Sequence, residues 1–414
     1  MSPSPQDLRV AVVASSLGLG GAEKQTVYMI RALREAGFDA RLFYLGGGGH
    51  YETVLRQTGV PIHPIDFPDR PWVILVRLID ALRRFRPHIV QVCQFGDLHY
   101  GGIAGRLGRA LVLAGVRSDG WYELRTHGRL SRFLVPLAHG LVSNSHYARQ
   151  NLMSQGVAPR KMEVLPNVID PRDFDDRAAL PLPFSLPAGR TLVAAVGNLH
   201  ACKRFDRFVE ALALARRSEP SLAGVLAGTD RGTKTALQER ATALGLGPQD
   251  IVFLGACHRV PSLLARVAML ILTSDYEGFP NVILEAMAAR LPVITTPAGD
   301  AGRVVQQGKT GYVVDREDTQ SMAACMIRLA QSPALRGTLG EAGRKRVEQE
   351  YNYDFLSDRL VAIYRRFADR EGKAALIEML GDGVPVGRIE ADSGSGFPAK
   401  AAFPRVGGTS YTSP

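Results

Sequence analysis

Short apolar runs alternate with stretches of helical spacing along most of the chain. Leu8–Ala14 is the first run; serines and glycines close it, and the apolar positions of Glu23–Ala36 then recur with a helical period. This reads as strand, Gly-rich turn, helix. A second strand-like run, Ala40–Leu45, ends in Gly46–Gly49, and a helix-like Tyr51–Gln57 leads to a third run at Val60–Ile65. Ile89–Cys93, Ala110–Val116 and Leu141–Asn144 continue the alternation. Short apolar runs between helical or polar stretches predict a parallel sheet covered by helices on both faces.

A turn-rich passage then interrupts the pattern. Pro159, Pro166, Pro171, Pro181, Pro183 and Pro187 crowd it, and this density of helix breakers places a linker at 171–189. Beyond it the alternation restarts with strands at Thr191–Val196, Ala223–Ala227, Ile251–Leu254, Ala268–Thr273, Pro292–Thr296 and Gly311–Val314. Helices at Arg204–Arg217, Lys234–Leu244, Pro261–Arg266 and Pro280–Ala289 separate them. Helical spacing alone follows at Thr319–Gln331, Leu335–Glu350 and Phe355–Arg370. The predicted organisation is a Rossmann-like α/β domain over 1–170, the linker, a second α/β domain over 190–352, and a helical segment over 353–374. Residues 375–414, rich in Gly, Pro, Ser and Ala without period, read as a disordered tail.

Composition narrows the picture. A length of 414 residues favours two cores, and 46% apolar with 22% charged residues is ordinary for a soluble globular chain. No run reaches the roughly 18 uninterrupted apolar residues of a membrane span; Pro71–Leu82 is broken by Arg77 and Asp80. The N-terminus lacks a basic segment followed by an apolar core, so a secretory signal is not expected. Cys93, Cys202, Cys257 and Cys325 form no CxxC pair, which argues against a disulfide framework or zinc site and fits a cytoplasmic setting.

The net charge of +10 concentrates between Arg70 and Arg132, where eleven arginines face four acids. Solvated helix faces, an anionic membrane surface with a lipid-phosphate acceptor, and nucleic acid are the three readings. No aromatic-basic RNA motif, zinc finger or helix-turn-helix accompanies the charge, so nucleic acid is the weakest of them and no such partner is expected.

Chemistry concentrates in Glu277-Gly278-Phe279-Pro280-Asn281-Val282-Ile283-Leu284-Glu285, directly after an expected strand and opening a helix. At the C-terminal edge of a parallel sheet, a helix start offers unpaired N–H groups and a positive dipole end to an anion or sugar hydroxyl. Pro280 suits the first helical turn, and Gly278 permits close backbone approach. Glu277 and Glu285 can accept hydrogen bonds from hydroxyl pairs at opposite ends of one elongated ligand. The same spacing also fits a helix start with an acid favouring the dipole and a second glutamate facing solvent. Gly197-Asn198-Leu199-His200-Ala201-Cys202-Lys203 follows another strand and brings one fixed cation. Gly18-Leu19-Gly20-Gly21-Ala22-Glu23 is a Gly-rich turn opening a helix, a phosphate cradle that is unspecific by itself. Glu23 stands where the third glycine of GxGxxG would be, and no acid ends the second strand, which disfavours NAD.

The block SDYEGFPNVILEAMAARLPVITT, with Gly308–Asp315 after it, resembles the glutamate-x7-glutamate signature of glycosyltransferase family 4, retaining enzymes of the GT-B fold. The resemblance runs from about Leu8 to Tyr364 and implies two Rossmann-like domains facing across a cleft, the first for the acceptor and the second for the donor. It places Glu277 at the donor sugar, Glu285 at the nucleotide ribose, and Lys203 at the diphosphate. Gly20, Gly21, Asn198, Gly255, Gly278, Phe279, Pro280, Asn281 and Val282 become donor-binding positions. Asn198 stands where the family frequently has arginine. Val142–Ser145, Pro166–Asp170 and Phe253–Gly255 extend the match, although Val168 replaces a more usual glycine.

Many relatives carry a histidine at the end of a first-lobe strand, where this chain has Arg117-Ser118-Asp119. His99, Asp119 and His127 are therefore the acceptor-side or base candidates, each equally readable as structural or exposed. The resemblance implies transfer from a nucleotide-diphosphate sugar to an acceptor hydroxyl without a metal or other cofactor, the nucleotide sugar being co-substrate. It also implies that the last long helix crosses back to the first lobe. A glycan or polyprenyl-linked glycan acceptor at the inner membrane face fits the arginine-rich lobe. An epimerase, a sugar phosphorylase and a non-catalytic nucleotide-sugar-binding module on the same fold are the alternatives.

Overall fold

A computed structural model of the chain describes residues 8–65, 70–127 and 131–381, the side chains at 127, 131 and 132 apart. Seven strands, β1 (Arg9–Ala14), β2 (Asp39–Tyr44), β3 (Ile62–Pro64), β4 (Ile89–Val92), β5 (Leu111–Val116), β6 (Gly140–Ser143) and β7 (Met162–Val164), form one sheet in the order β3-β2-β1-β4-β5-β6-β7. Six more, β8 (Thr191–Val196), β9 (Leu222–Ala227), β10 (Ile251–Gly255), β11 (Met269–Leu272), β12 (Val293–Thr295) and β13 (Gly311–Val313), form a second sheet in the order β10-β9-β8-β11-β12-β13. Each pairing is parallel.

The apolar runs are continuous because both faces of each sheet are covered. Along β1, Val10, Val12 and Ala14 join the core beneath the helix Gly21–Glu35, while Ala11 and Val13 join the core beneath the helix Pro71–Phe85. The helix Leu356–Arg370 inserts Leu360, Ile363, Tyr364 and Phe367 into the first of these cores, so this helix is part of the first lobe. Tyr353 Oη donates to Glu35 at 2.8 Å, and Arg370 reaches Glu163 at 2.7 Å.

Two expectations change. The passage 171–189 is not all linker: Pro171 opens a helix, Pro171–Ala178, because Asp170 accepts from the N–H groups of Arg172 and Asp173, and proline lacks only an N–H that a first turn does not use. The expected tail begins too early, since Ala374–Leu380 is a helix that buries Leu376 and Leu380 in the first core. Residues 382–414 lie outside the described residues.

Candidate functional site

In each sheet the strand order reverses once, between β1 and β4 in the first and between β8 and β11 in the second. Such reversal points leave a crevice at the strands' C-terminal ends. The loop 197–203 leaves β8, and Glu277 follows β11, so both arise at the second crevice. They are stitched together. Thr273 Oγ1 donates to the Lys203 carbonyl at 2.9 Å, and the Asp275 amide donates to the Cys202 carbonyl at 2.9 Å. Behind them Arg207, 2% exposed, donates to the Thr273 carbonyl and pairs with Asp275 at 2.7 Å and with Glu317.

This scaffold holds Lys203 Nζ 2.6 Å from Glu277 Oε1, which also accepts from Ser274 Oγ at 2.7 Å. Burial lowers the lysine's pKa, but the adjoining Glu277 carboxylate raises it by more, so Lys203 stays charged. Glu285 is bound 2.9 Å from Lys24, on the first lobe's helix Gly21–Glu35. There too burial opposes the charge and the carboxylate overcomes it, leaving the Lys24 pKa raised.

The two lobes meet at their helix starts. Asn281 opens the helix Asn281–Ala288, and a Cβ on Gly21 would lie 2.1 Å from Asn281 Nδ2. Only glycine at 21 permits this approach. Two helix N-termini therefore face one another, with first-turn N–H groups that have no partner inside their helices and two positive dipole ends. Asn281 Oδ1 accepts from Asn167 Nδ2 at 2.9 Å and Gln25 Nε2 at 3.4 Å.

Several expected residues take different parts. Pro280 lies before the helix with extended backbone rather than in the first turn; its carbonyl accepts from the Ile283 amide. Phe279 turns its ring into the core against Tyr351, leaving only its backbone for a ligand. Gly278 makes room for the protein itself, since a Cβ there would lie 2.5 Å from the Ser118 carbonyl and 2.9 Å from that of Arg117. Asn198 is exposed, and Gly255 ends the edge strand β10 at a φ of +72°. Val282, partly buried, follows Asn281 in the first helical turn. Gly20 precedes that of the first-lobe helix, against the Glu23 carboxylate.

Of the base candidates, Asp119 Oδ1 accepts from the Tyr122 amide at 2.8 Å and so starts the helix Trp121–His127. His99 Nδ1 lies 2.6 Å from the Gly96 carbonyl. The side chain of His127 lies outside the described residues. Among the described residues no three His, Cys, Asp or Glu side chains gather as metal ligands. The sequence does not mark Lys24, Asp97 or Asp300, and it marks Asn144 only as part of the matching stretch Val142–Ser145. Asp97 is 7% exposed, its Oδ2 accepts from the Ser15 amide at 3.0 Å, and burial pushes its pKa up to about 6. Its signal, a lone acid after a strand that ends at the first reversal point, becomes visible only once the strand order is known.

Two doubly wound domains with helix starts converging on an interlobe cleft define a glycosyltransferase fold of the GT-B type. Residues 19–173 match the family model described as Glycosyltransferase Family 4, and residues 190–332 match that of Glycosyl transferases group 1. The chain belongs to family 4 of the glycosyltransferases. N-acetyl-alpha-D-glucosaminyl L-malate synthase of Bacillus anthracis is 28% identical over 239 residues, 56% of this chain and 59% of that protein. The capsular polysaccharide biosynthesis glycosyltransferase CapM of Staphylococcus aureus is 39% identical over 98 residues, 23% of this chain and 26% of its own. The chain thus spans less than two thirds of these two relatives. A GDP-mannose-dependent monoacylated alpha-(1-6)-phosphatidylinositol monomannoside mannosyltransferase of Corynebacterium glutamicum is 26% identical, the match covering 63% and 72%. Among solved structures, Anabaena HepE in complex with UDP and glucose superposes with a TM-score of 0.75 at 20% identity, covering 86% of this chain and 99% of that one. The lipopolysaccharide outer core galactosyltransferase WaaB does so with 0.66 at 16%, covering 86% and 99%. At these identities the two structures attest the fold.

Proposed function

We propose that this protein is a retaining glycosyltransferase that moves a hexosyl or N-acetylhexosaminyl group from a nucleotide diphosphate to an acceptor hydroxyl, without a metal, in surface polysaccharide or glycolipid assembly. The observation that carries this reading is the Lys203–Glu277 pair at the reversal point of the second sheet, beside two converging helix starts. Lys203 is paired with Glu277 and Glu285 with Lys24. A donor exchanges these partners: phosphate oxygens take Lys203 and the helix-start N–H groups, while sugar and ribose hydroxyls donate to Glu277 and Glu285.

As the anomeric C–O bond breaks, its electron pair goes to the diphosphate, where Lys203 and the amides stabilise the growing charge. The acceptor oxygen bonds to the same face of the anomeric carbon, and its proton passes to the departing diphosphate. The names of the relatives support this class of chemistry, and HepE was solved with UDP and glucose. Glycan or lipid-linked acceptors at the inner membrane face fit the helix Pro71–Phe85, which exposes Trp72 and Val76 one turn apart beside Arg83 and Arg84. Among the described residues no helix is long and apolar enough to cross a membrane.

A melting panel of UDP-, GDP- and ADP-sugars against NAD tests the donor reading. A ligand at about 100 times its Kd stabilises by roughly 2.7 kcal/mol. Stabilisation by one nucleotide sugar, followed by acceptor-dependent nucleotide release, supports transfer. Isomerised donor in the absence of acceptor indicates an epimerase, sugar phosphate a phosphorylase, and binding without turnover a non-catalytic module. Stabilisation by NAD alone refutes the reading.

A further inference from the structure

Arg117, at the end of β5, lies across the cleft from the donor turn. Its carbonyl and that of Ser118 border Gly278, and Asn144 Nδ2 donates to the Arg117 carbonyl at 3.0 Å. The side chain lies over the end of β4, at the first sheet's reversal point, where Nε donates to the Cys93 carbonyl at 3.4 Å. No carboxylate among the described residues pairs with it, whereas Lys24 and Lys203 each hold a glutamate. The Glu123 carboxylate is taken by the amides of Arg117 and Ser118, and the two acidic groups that act on the guanidinium, Cys93 and Tyr364, do not neutralise it. Burial pushes the Cys93 thiol up to about 11 and raises the Tyr364 hydroxyl as well, so both are protonated near neutral pH.

A second side chain at the same place is left short of a partner. Asn144 is 3% exposed, yet its Oδ1 has no hydrogen-bond partner and lies 3.0 Å from where a Cβ on Gly278 would be. A buried acceptor without a donor is costly unless a ligand supplies one. Along the turn, Asn281 meets the first-lobe helix start and Gly278 meets Arg117 and Ser118. If the diphosphate occupies the helix starts, the sugar end of the ligand lies toward Gly278, which the main chain of Arg117 borders.

We propose that Arg117 receives the carboxylate of a uronic acid residue brought to this cleft, with Asn144 accepting from a hydroxyl of the same ring. The inference rests on the donor reading given above. A planar guanidinium binds a carboxylate through two parallel hydrogen bonds, and a neutral hexose would leave the cation without a counter-charge. The carboxylate could belong to the donor sugar or to the acceptor sugar.

Calorimetric titration with matched pairs separates these sources. UDP-glucose against UDP-glucuronate, and GDP-mannose against GDP-mannuronate, address the donor; p-nitrophenyl glucoside against p-nitrophenyl glucuronide, with the nucleotide saturating, addresses the acceptor. The uronate of one pair should bind about tenfold tighter or more, as expected for one charge-assisted bidentate contact. In Arg117→Met that ratio should collapse toward one, and in Arg117→Lys, which keeps the charge without the fork, it should fall between. Equal affinities within every pair, in a protein that binds the nucleotide, overturn this inference and leave the transferase reading standing. A preference that survives in a folded Arg117→Met protein also overturns it. Failure of every nucleotide sugar to bind overturns both. If Arg117→Met does not fold, the Arg117→Lys ratio decides.

Discussion

The charges of Lys203 and Glu277 answer each other at 2.6 Å, and the donor proposed above would part them. Glu277→Ala should abolish transfer in a protein that still folds, because Arg207, Thr273 and Asp275 hold the loop independently of that carboxylate, while the melting temperature falls by the cost of leaving Lys203 unpaired. Initial rates beside a melting curve check this; full activity in the variant refutes the assignment. Lys203→Met should lower kcat by roughly 100-fold or more, the loss associated with removing one preorganised electrostatic contact to developing charge. The pair was legible because both residues stand directly after strand-like runs, at a spacing the family shares. Asp97 was not, although it yields a sharp pH prediction. Its folded pKa of about 6 lies above the ordinary 3.8, so the protonated form is the favoured one in the fold. The stability this contributes is complete below pH 3.8 and is lost as pH rises through 6. Asp97→Asn, neutral throughout, should gain on the native protein across that window by about 3 kcal/mol. Denaturant unfolding at pH 4 and pH 7.5 measures the difference, and an equal offset at both values refutes it.

At the level of elements, packing decides where local preference misleads. The helix Leu98–Leu107 contains Gly101, Gly102 and Gly105, which hide it in the sequence. Those glycines bring the helix onto the sheet: a Cβ at 101 would lie 2.6 Å from Val92 Cγ2, and one at 105 would lie 2.8 Å from Val112 Cγ2. Tertiary contact thus offsets a poor propensity. Pro171 misled in the opposite sense, as a breaker that begins a helix. The strands were easier, because runs buried on both faces stay apolar throughout; β7, three residues with Glu163 at the centre and on the sheet edge, left no such trace. The same close packing predicts the effect of one methyl group. A Cβ on Gly140, in β6, would fall 2.2 Å from the Phe367 ring of the helix Leu356–Arg370. Gly140→Ala should therefore destabilise by about 1–3 kcal/mol, the usual cost of overpacking a core. Phe367→Leu in the same chain should cost less than the two single changes added, since the smaller side chain vacates the contested space. Denaturant unfolding of the four proteins provides the cycle, and strict additivity would show that helix and strand do not press on each other.

The lobes are joined by polar contacts, and these lie around the site. Lys24 with Glu285, Asn167 and Gln25 with Asn281, and Asp300 with the amides of His146 and Tyr147 at 2.8 and 2.9 Å all cross between them. Their partners are separated by 114 to 261 residues, so no periodicity along the chain encodes them. Asp300 shows why: in the sequence it is one acid in a Gly/Pro-rich loop after β12, yet in the fold it caps the first-lobe helix His146–Ser154 from the second lobe. The cap ties closure of the cleft to helix-start N–H groups that otherwise require solvent. Asp300→Ala should consequently weaken the closed arrangement, while the amide at position 300 keeps its bond to the Gly278 carbonyl at 3.2 Å. The KM for the donor should rise roughly tenfold, consistent with losing charge-assisted hydrogen bonds in the closed form, while kcat changes less. Amide exchange at His146 and Tyr147 should accelerate in the same variant. Faster exchange with an unchanged KM would mean that the cap stabilises the helix alone, whereas both changes together would make Asp300 a latch between the lobes.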